Sequence, residues 1–172
     1  MISIFKANVN DYKSIVDIGN VSVPEAHEGS CAPEDLNEYI QNNYNESAIK
    51  KELGDENNIY YILNYNGKSV GFSKIILNAK HPNIESENIV KLDKIYLLKE
   101  FQGLKLGFEL LNYNINFAKN NKQNAIWLDT WIGNLKAINF YEKTGFKIIG
   151  ENEFYINKTT SNLIYQMLLN LA

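Results

Sequence analysis

The residues best placed to do chemistry begin at Phe101-Gln-Gly-Leu-Lys-Leu-Gly107, between an apolar run ending at Leu98 and an amphipathic run that follows. A glycine-bearing loop that enters a helix leaves backbone N–H groups without intrahelical partners. Together with the helix dipole they make an anion site. The chain has no arginine, and all 17 basic residues are lysines. A phosphate held there must rely on backbone amides and ammonium groups, without a guanidinium fork. A second concentration of reactive types is Pro24, Glu25, His27, Glu28 and Cys31, in a segment from Val21 to Ala32 that shows neither helical nor strand period. Cys31 is the only cysteine, so no intrachain disulfide forms and a reducing compartment is expected. It reads as a buried or loop thiol. His27 and His81 lie far apart without ligand spacing, so no metal site is expected.

The elements that must position these groups can be read in order. Ile2–Phe5 alternates as a strand. Asn10–Ile18 reads as a helix with Asn10 as N-cap and Gly19 as its stop. Pro33–Ile40 has proline at a first helical position and early acids, and Asn45–Leu53 is a short helix closed by Gly54. Asn58–Asn64 and Ser69–Leu77 read as strands joined by Asn66-Gly67, a hairpin signal that pairs them antiparallel. A polar loop from Asn78 to Asn88 precedes the central strand Lys91–Leu98. The helix after the glycine loop carries Leu104, Phe108, Leu111, Ile115 and Ala118 as a core stripe. Ala125–Trp131 is a strand, Gly133-Asn134 opens a further helix, and Lys147–Gly150 and Leu163–Leu169 are the last strands, with Asn152–Asn162 as a loop or turn. Hairpins in the first half and a βαβ unit in the second predict an α/β (α+β) mixed sheet of about six or seven strands flanked by helices.

Bulk properties narrow the partners. A chain of 172 residues with 45% apolar and 22% charged residues fits one domain spanning 1–172. Its net charge of −3 argues against nucleic acid, which wants a basic face. No stretch approaches membrane-spanning length, so a cytoplasmic protein with no membrane partner is expected.

Two stretches carry a family resemblance. Phe101-Gln-Gly-Leu-Lys-Leu-Gly107 resembles the Gln/Arg-x-x-Gly-x-Gly/Ala pyrophosphate loop of the GCN5-related N-acetyltransferases (GNAT). Asn134-Leu-Lys-Ala-Ile-Asn-Phe-Tyr-Glu-Lys-Thr-Gly-Phe146 resembles that family's Asn-x-x-Ala-x-x-Phe-Tyr-x-x-x-Gly-Phe signature. The acidic early helices, the Lys94-Ile-Tyr-Leu-Leu98 strand end and Phe154-Tyr155 are similar to bacterial PaiA-like polyamine acetyltransferases. One position departs: the first glycine of the loop signature falls where this chain has Lys105, which restricts positive φ and adds a cation.

The resemblance implies a GNAT-like fold in which two strands splay and acetyl-CoA lies in the opening, with no metal. Ile95, Tyr96 and Leu97 would flank the pantetheine arm, Ile95 and Leu97 through their backbone as an added strand would. The N–H groups of Gln102, Gly103, Leu104, Lys105, Leu106, Gly107 and Phe108 would meet the pyrophosphate. Asn134 would cap its helix and contact the cofactor arm, with Lys136 as a further contact. Tyr141 holds the motif position of a general acid: with a pKa near ~10 against ~8.5 for a thiol, a tyrosine can protonate the departing sulfur. A primary ammonium with a pKa of ~10.4 must lose a proton before it attacks, and Asp93 and Glu28 are the candidate bases. Glu25, His27 and Glu28 would line an acidic acceptor pocket, and Phe154, Tyr155, Tyr60 and Tyr61 would offer aromatic walls to alkylammonium groups. The implied activity is direct acetyl transfer from acetyl-CoA to a primary amine, with a small polyamine such as spermidine as acceptor. The alternatives are acetylation of a protein N-terminus or lysine, and a coenzyme A-binding sensor without turnover. A homodimer is a further possibility common in such folds.

Overall fold

The computed structural model describes residues 1–171. Seven strands form one mixed sheet in the order β1-β2-β3-β4-β5-β7-β6. They are β1 (Ile2–Lys6), β2 (Asn58–Tyr65), β3 (Lys68–Ile76), β4 (Ile89–Leu97), β5 (Ala125–Trp131), β6 (Lys147–Tyr155) and β7 (Ser161–Asn170). All neighbours pair antiparallel except β4 with β5, the one parallel pair. The helices are α1 (Tyr12–Ala26), α2 (Pro33–Asn43), α3 (Glu46–Leu53), α4 (Leu106–Asn120) and α5 (Leu135–Lys143). The expected mixed sheet is therefore present, with β4-α4-β5 as its crossover. On one face, Leu106, Leu110, Leu111 and Ala118 of α4 pack with Val90, Leu92, Ile126, Leu128 and Tyr141. On the other, Ile15, Ile18 and Val23 of α1, with Ile40 and Ile49, cover Tyr60, Ile62 and Phe72.

Four sequence expectations shift here. Asn10 is not the first cap: Asn8 closes a capping box with Asp11 around a short 3-10 turn that leads into α1. Gly19 does not stop α1, which runs on to Ala26. Ile15, Ile18, Gly19, Ser22 and Val23 are all buried at helical spacing. The stripe continues through small residues that a hydropathy pattern counts as breaks. A Cβ on Gly19 would lie 2.3 Å from Cδ1 of Tyr44, so the glycine admits the Tyr44 ring against the helix. On α4 the buried stripe is Leu106, Leu110, Leu111, Asn114 and Ala118. Leu104 and Phe108 are exposed, because the helix starts at Leu106 and its inward face is rotated from the expected one. Finally, Asn152–Tyr155 and Ser161–Asn162 belong to strands: β6 and β7 form a long hairpin closed by Ile156 N–H donating to Thr160 O at 2.9 Å. β6 is an edge strand with mostly outward residues, so it lacked the apolar run that marks a buried strand.

The hairpin at Asn66-Gly67 is as expected, with φ of 50° and 82° at the two turn residues. So are Pro33 at the start of α2 and Asn134 capping α5 at Ala137 N (3.1 Å); Asn45, expected as the first residue of α3, is its N-cap and accepts from Ala48 N at 2.9 Å.

Candidate active site

β4 and β5 pair only at Ile89↔Ala125, Val90↔Ile126 and Lys91↔Trp127. Beyond Lys91 the two strands part, while β3 still holds β4 through Leu97 and β7 holds β5 through Trp131. Each splayed strand thus turns an unpaired backbone edge to the gap. Between them opens a cleft of ≈ 1340 Å³ that runs from the start of α4 to the end of α1.

At one end the loop before α4 forms a lysine-rich mouth. Gln102, Gly103, Lys105, Leu106, Gly107 and Phe108 line the cleft there, with Lys99, Lys136 and Lys143 around them. Gln102 is pinned from both sides: its Nε2 donates to Leu97 O at 3.3 Å, and Lys136 Nζ donates to its Oε1. Gly103 has a φ of 85°, and Lys105 keeps a left-handed backbone (φ 61°, ψ 8°) as N-cap of α4. The lysine has therefore kept a conformation that favours glycine. Leu104 points out of the cleft and is 50% exposed.

In the middle, Ile95, Tyr96 and Leu97 line the wall from β4, and Asn134, Lys136 and Tyr141 from α5. Tyr141 is only 8% exposed, between Phe140 and Phe146, and burial pushes its phenol well above the usual value. Burial raises the Tyr96 phenol too, and the Tyr39 and Tyr141 phenols add to this; all three residues line the cleft.

At the acceptor end a chain of ion pairs crosses the splay. Asp129 Oδ2 meets Lys91 Nζ at 3.0 Å, and Lys91 meets Asp93 Oδ1 at 3.3 Å. Asp93 Oδ2 meets Lys74 at 3.1 Å, and Lys74 meets Glu52 Oε2 at 2.8 Å. Lys94 adds contacts to Glu52 and Asp93. Asp93 occupies the extra residue of a β-bulge, since Lys74 faces Lys94 and Ile75 faces Leu92. Burial alone would raise its carboxyl, yet Lys94, Lys74 and Lys91 hold it below the usual carboxylate range. Asp129 was not singled out by sequence reasoning. Its signal was a charge in the otherwise apolar run Ala125–Trp131, and its Oδ1 is buried without a hydrogen-bond partner.

Glu25, His27 and Glu28, with Tyr39, Trp131 and Phe154, complete this end. Glu28 is exposed at the mouth and also borders a smaller cleft of ≈ 450 Å³ between α1 and α2 that includes Cys31. His27 caps α1, with its Nε2 3.3 Å from the Tyr96 hydroxyl and its ring 6.4 Å from Trp131. Asn134 Nδ2 donates to Ala26 O at 3.3 Å, tying α5 to the end of α1. The remaining expected aromatic walls lie elsewhere. Tyr60 is buried against Glu52, Tyr61 packs on Tyr113 and Phe117, and Tyr155 is 62% exposed. His81 is buried beside Trp127, outside the cleft. Among the described residues no cluster suited to a metal is present, and no helix is long and apolar enough to cross a membrane.

A parallel strand pair that splays beside a glycine-loop helix start defines an acyl-CoA N-acyltransferase architecture. The acetyltransferase (GNAT) family model matches residues 23–146, and the chain belongs to that family. An uncharacterized N-acetyltransferase from the pepI 3′ region of Lactobacillus delbrueckii subsp. lactis is 23% identical over 90% of each chain. The spermine/spermidine N(1)-acetyltransferase of Bacillus subtilis (strain 168) is 31% identical over 54% of this chain and 61% of that one. The PaiA N-acetyltransferase of Thermoplasma acidophilum, solved with coenzyme A, superposes with a TM-score of 0.76 at 19% identity, covering 96% and 98% of the two chains. The protein is an N-acetyltransferase that uses acetyl-CoA. Its cleft suits that co-substrate: two unpaired strand edges can serve pantetheine amides. Lys99, Lys105, Lys136 and Lys143, none ion-paired among the described residues, can serve phosphates.

Proposed function

We propose that the protein acetylates a primary amine of a small polyamine such as spermidine by direct attack, with Tyr141 as general acid. The observation that carries this reading is the Tyr141 phenol, enclosed between Phe140 and Phe146 in the wall of the cleft that Tyr96 also lines. Acetyl-CoA supplies a thioester carbonyl open to an amine and a thiol as leaving group. Burial keeps the Tyr141 proton in place at neutral pH, so the phenol is ready to donate as charge develops on sulfur. The backbone edges of Ile95 and Leu97 take the pantetheine arm. The amides from Gln102 to Phe108 take the pyrophosphate, with Lys105 and Lys136 beside it. Asn134 serves as helix cap and arm contact.

On the acceptor side, Glu25 and Glu28 at the mouth, the α1 C-terminus and the Tyr39 and Phe154 rings suit a chain of alkylammonium groups. The partial similarity to the spermine/spermidine enzyme supports the same class. Asp93 is a poor base here: lysines engage both oxygens and lower its proton affinity. Its role is to hold the bulge and the splay. Glu28 receives a distal ammonium.

The test is thiol release from acetyl-CoA with spermidine, spermine, short diamines and a lysine peptide, for wild type and Tyr141→Phe. Polyamine-dependent release that falls about 10²–10⁴-fold in the variant, at unchanged coenzyme A affinity, supports acid and acceptor class together. Preference for the peptide overturns the polyamine reading, and a fully active variant overturns the acid.

A further inference from the structure

The reading above leaves the amine's proton without a destination, because the inner carboxylates are bound by the chain's own lysines. Asp93 and Asp129 are both paired to Lys91, and Asp93 to Lys74 and Lys94 as well. A further acceptor of suitable type, held by no charged partner, faces the cleft from the other wall. His27 sits at the α1 C-cap with its Nε2 3.3 Å from the Tyr96 hydroxyl, and both residues line the cleft together with Tyr141. Tyr141 of α5, Tyr96 of β4 and the His27 cap of α1 thus line one cleft from three different elements.

We infer that the acceptor amine gives its proton to the Tyr96 oxygen while the Tyr96 hydroxyl passes its own proton to His27 Nε2. The tautomer with the proton on Nδ1 presents the Nε2 lone pair to Tyr96. As the C–N bond forms, the nitrogen becomes acidic and its proton leaves along this path. As the C–S bond breaks, the sulfur takes the Tyr141 proton. Water then returns a proton from the His27 imidazolium to the Tyr141 phenolate, and the protein ends as it began. Tyr96 is the catalytic residue of this pair, and His27 acts through it.

The surroundings of His27 fit a group that must be neutral to work. Burial alone moves the imidazole, and it moves it below its ordinary value. Tyr96 of β4 and Trp131 of β5 face the ring, and Tyr44, just past the end of α2, meets Tyr96 edge-on at 6.5 Å with its phenol beside the Tyr96 hydroxyl. Glu25 and Glu28 flank it in its own turn. Tyr39 of α2 shares the cleft, and the charges of Lys91, Asp93, Lys94 and Asp129 are spent on one another.

This inference rests on acetyl transfer to an amine, and the experiment separates the two. With whichever amine the wild type acetylates, kcat/KM is measured against pH for wild type, His27→Gln, His27→Ala and Tyr96→Phe, alongside coenzyme A binding by calorimetry. The wild type should lose activity as the pH falls through a value below about 6.5. Both His27 variants should fall about 10²-fold, lose that acid limb and bind coenzyme A normally, and imidazole should restore His27→Ala. His27→Gln keeps a hydrogen-bond partner for Tyr96 but cannot carry a proton, so wild-type activity in this variant overturns the relay. Failure of imidazole to rescue a folded, coenzyme-binding His27→Ala overturns it as well. Loss of polyamine preference or an active Tyr141→Phe would instead strike the acceptor or acid reading alone.

Discussion

Lys105 holds a left-handed backbone at the start of α4 (φ 61°, ψ 8°), where a side chain costs about 1–2 kcal/mol relative to the right-handed region. A residue kept at that cost beside a lysine-rich mouth points to use of its ammonium. Lys105→Gly should leave the loop geometry intact and weaken coenzyme A binding about 2–5-fold, an effect that shrinks with added salt. Acetyl-pantetheine, which lacks the phosphates, should bind both proteins alike in calorimetry. Equal coenzyme A affinity at low salt would show that backbone amides alone hold the phosphates. Tyr141 and Lys105 were both readable as motif positions in the sequence. The αL backbone at Lys105 was not, because a non-glycine side chain argues locally against the conformation that the loop imposes.

At the scale of elements, α1 decides where the acceptor end lies. Its continuation past Gly19 carries Glu25 and the His27 cap to the cleft, and the Tyr44 ring lies where a Cβ on Gly19 would be. Gly19→Ala gains about 1 kcal/mol of helix propensity but forces the ring aside at about 1–3 kcal/mol. Thermal unfolding should show a lower midpoint by a few degrees, and Tyr44 should shift against Tyr96 and weaken amine transfer more than coenzyme A binding. An unchanged midpoint would mean that the ring relocates without cost. The sequence pattern ended this helix early because glycine, serine and proline look like breaks when their packing partners are unknown. β6 was cut short for the opposite reason: an edge strand exposes residues that a buried strand would make apolar.

Across the whole molecule, the ion-pair chain from Glu52 through Lys74, Asp93 and Lys91 to Asp129 ties α3, β3, β4 and β5 together. Asp93→Asn leaves three lysines to share two carboxylates in a largely buried setting, at a cost of about 3 kcal/mol, or about 6–12 °C in the unfolding midpoint. The lysines hold the Asp93 carboxyl below its ordinary value against the opposing effect of burial. Its contribution to stability is therefore complete above about pH 4, the unfolded value, and is lost as the pH falls through the lower folded one. The gap between variant and wild type should stay constant from pH 8 to 5 and close only under stronger acid. A gap that already closes at pH 6 would mean the network is not what Asp93 contributes.

The linear chain by itself determined the strand-helix order, the Asn66-Gly67 hairpin, the cap at Asn134, the glycine loop and the two motif stretches. Each of these depends on local backbone preference or on spacing within one element, and such preferences survive without neighbours. Only the tertiary structure decided that β4 and β5 part after Lys91, and that Asp93 is spent on Lys74 of the neighbouring strand as well as on its own strand's lysines. It likewise decided that Asp129 faces the cleft and that His27 meets Tyr96 across 69 positions of chain. Those facts are set by strand register and by which side chains share a buried space, and both are properties of the packed whole.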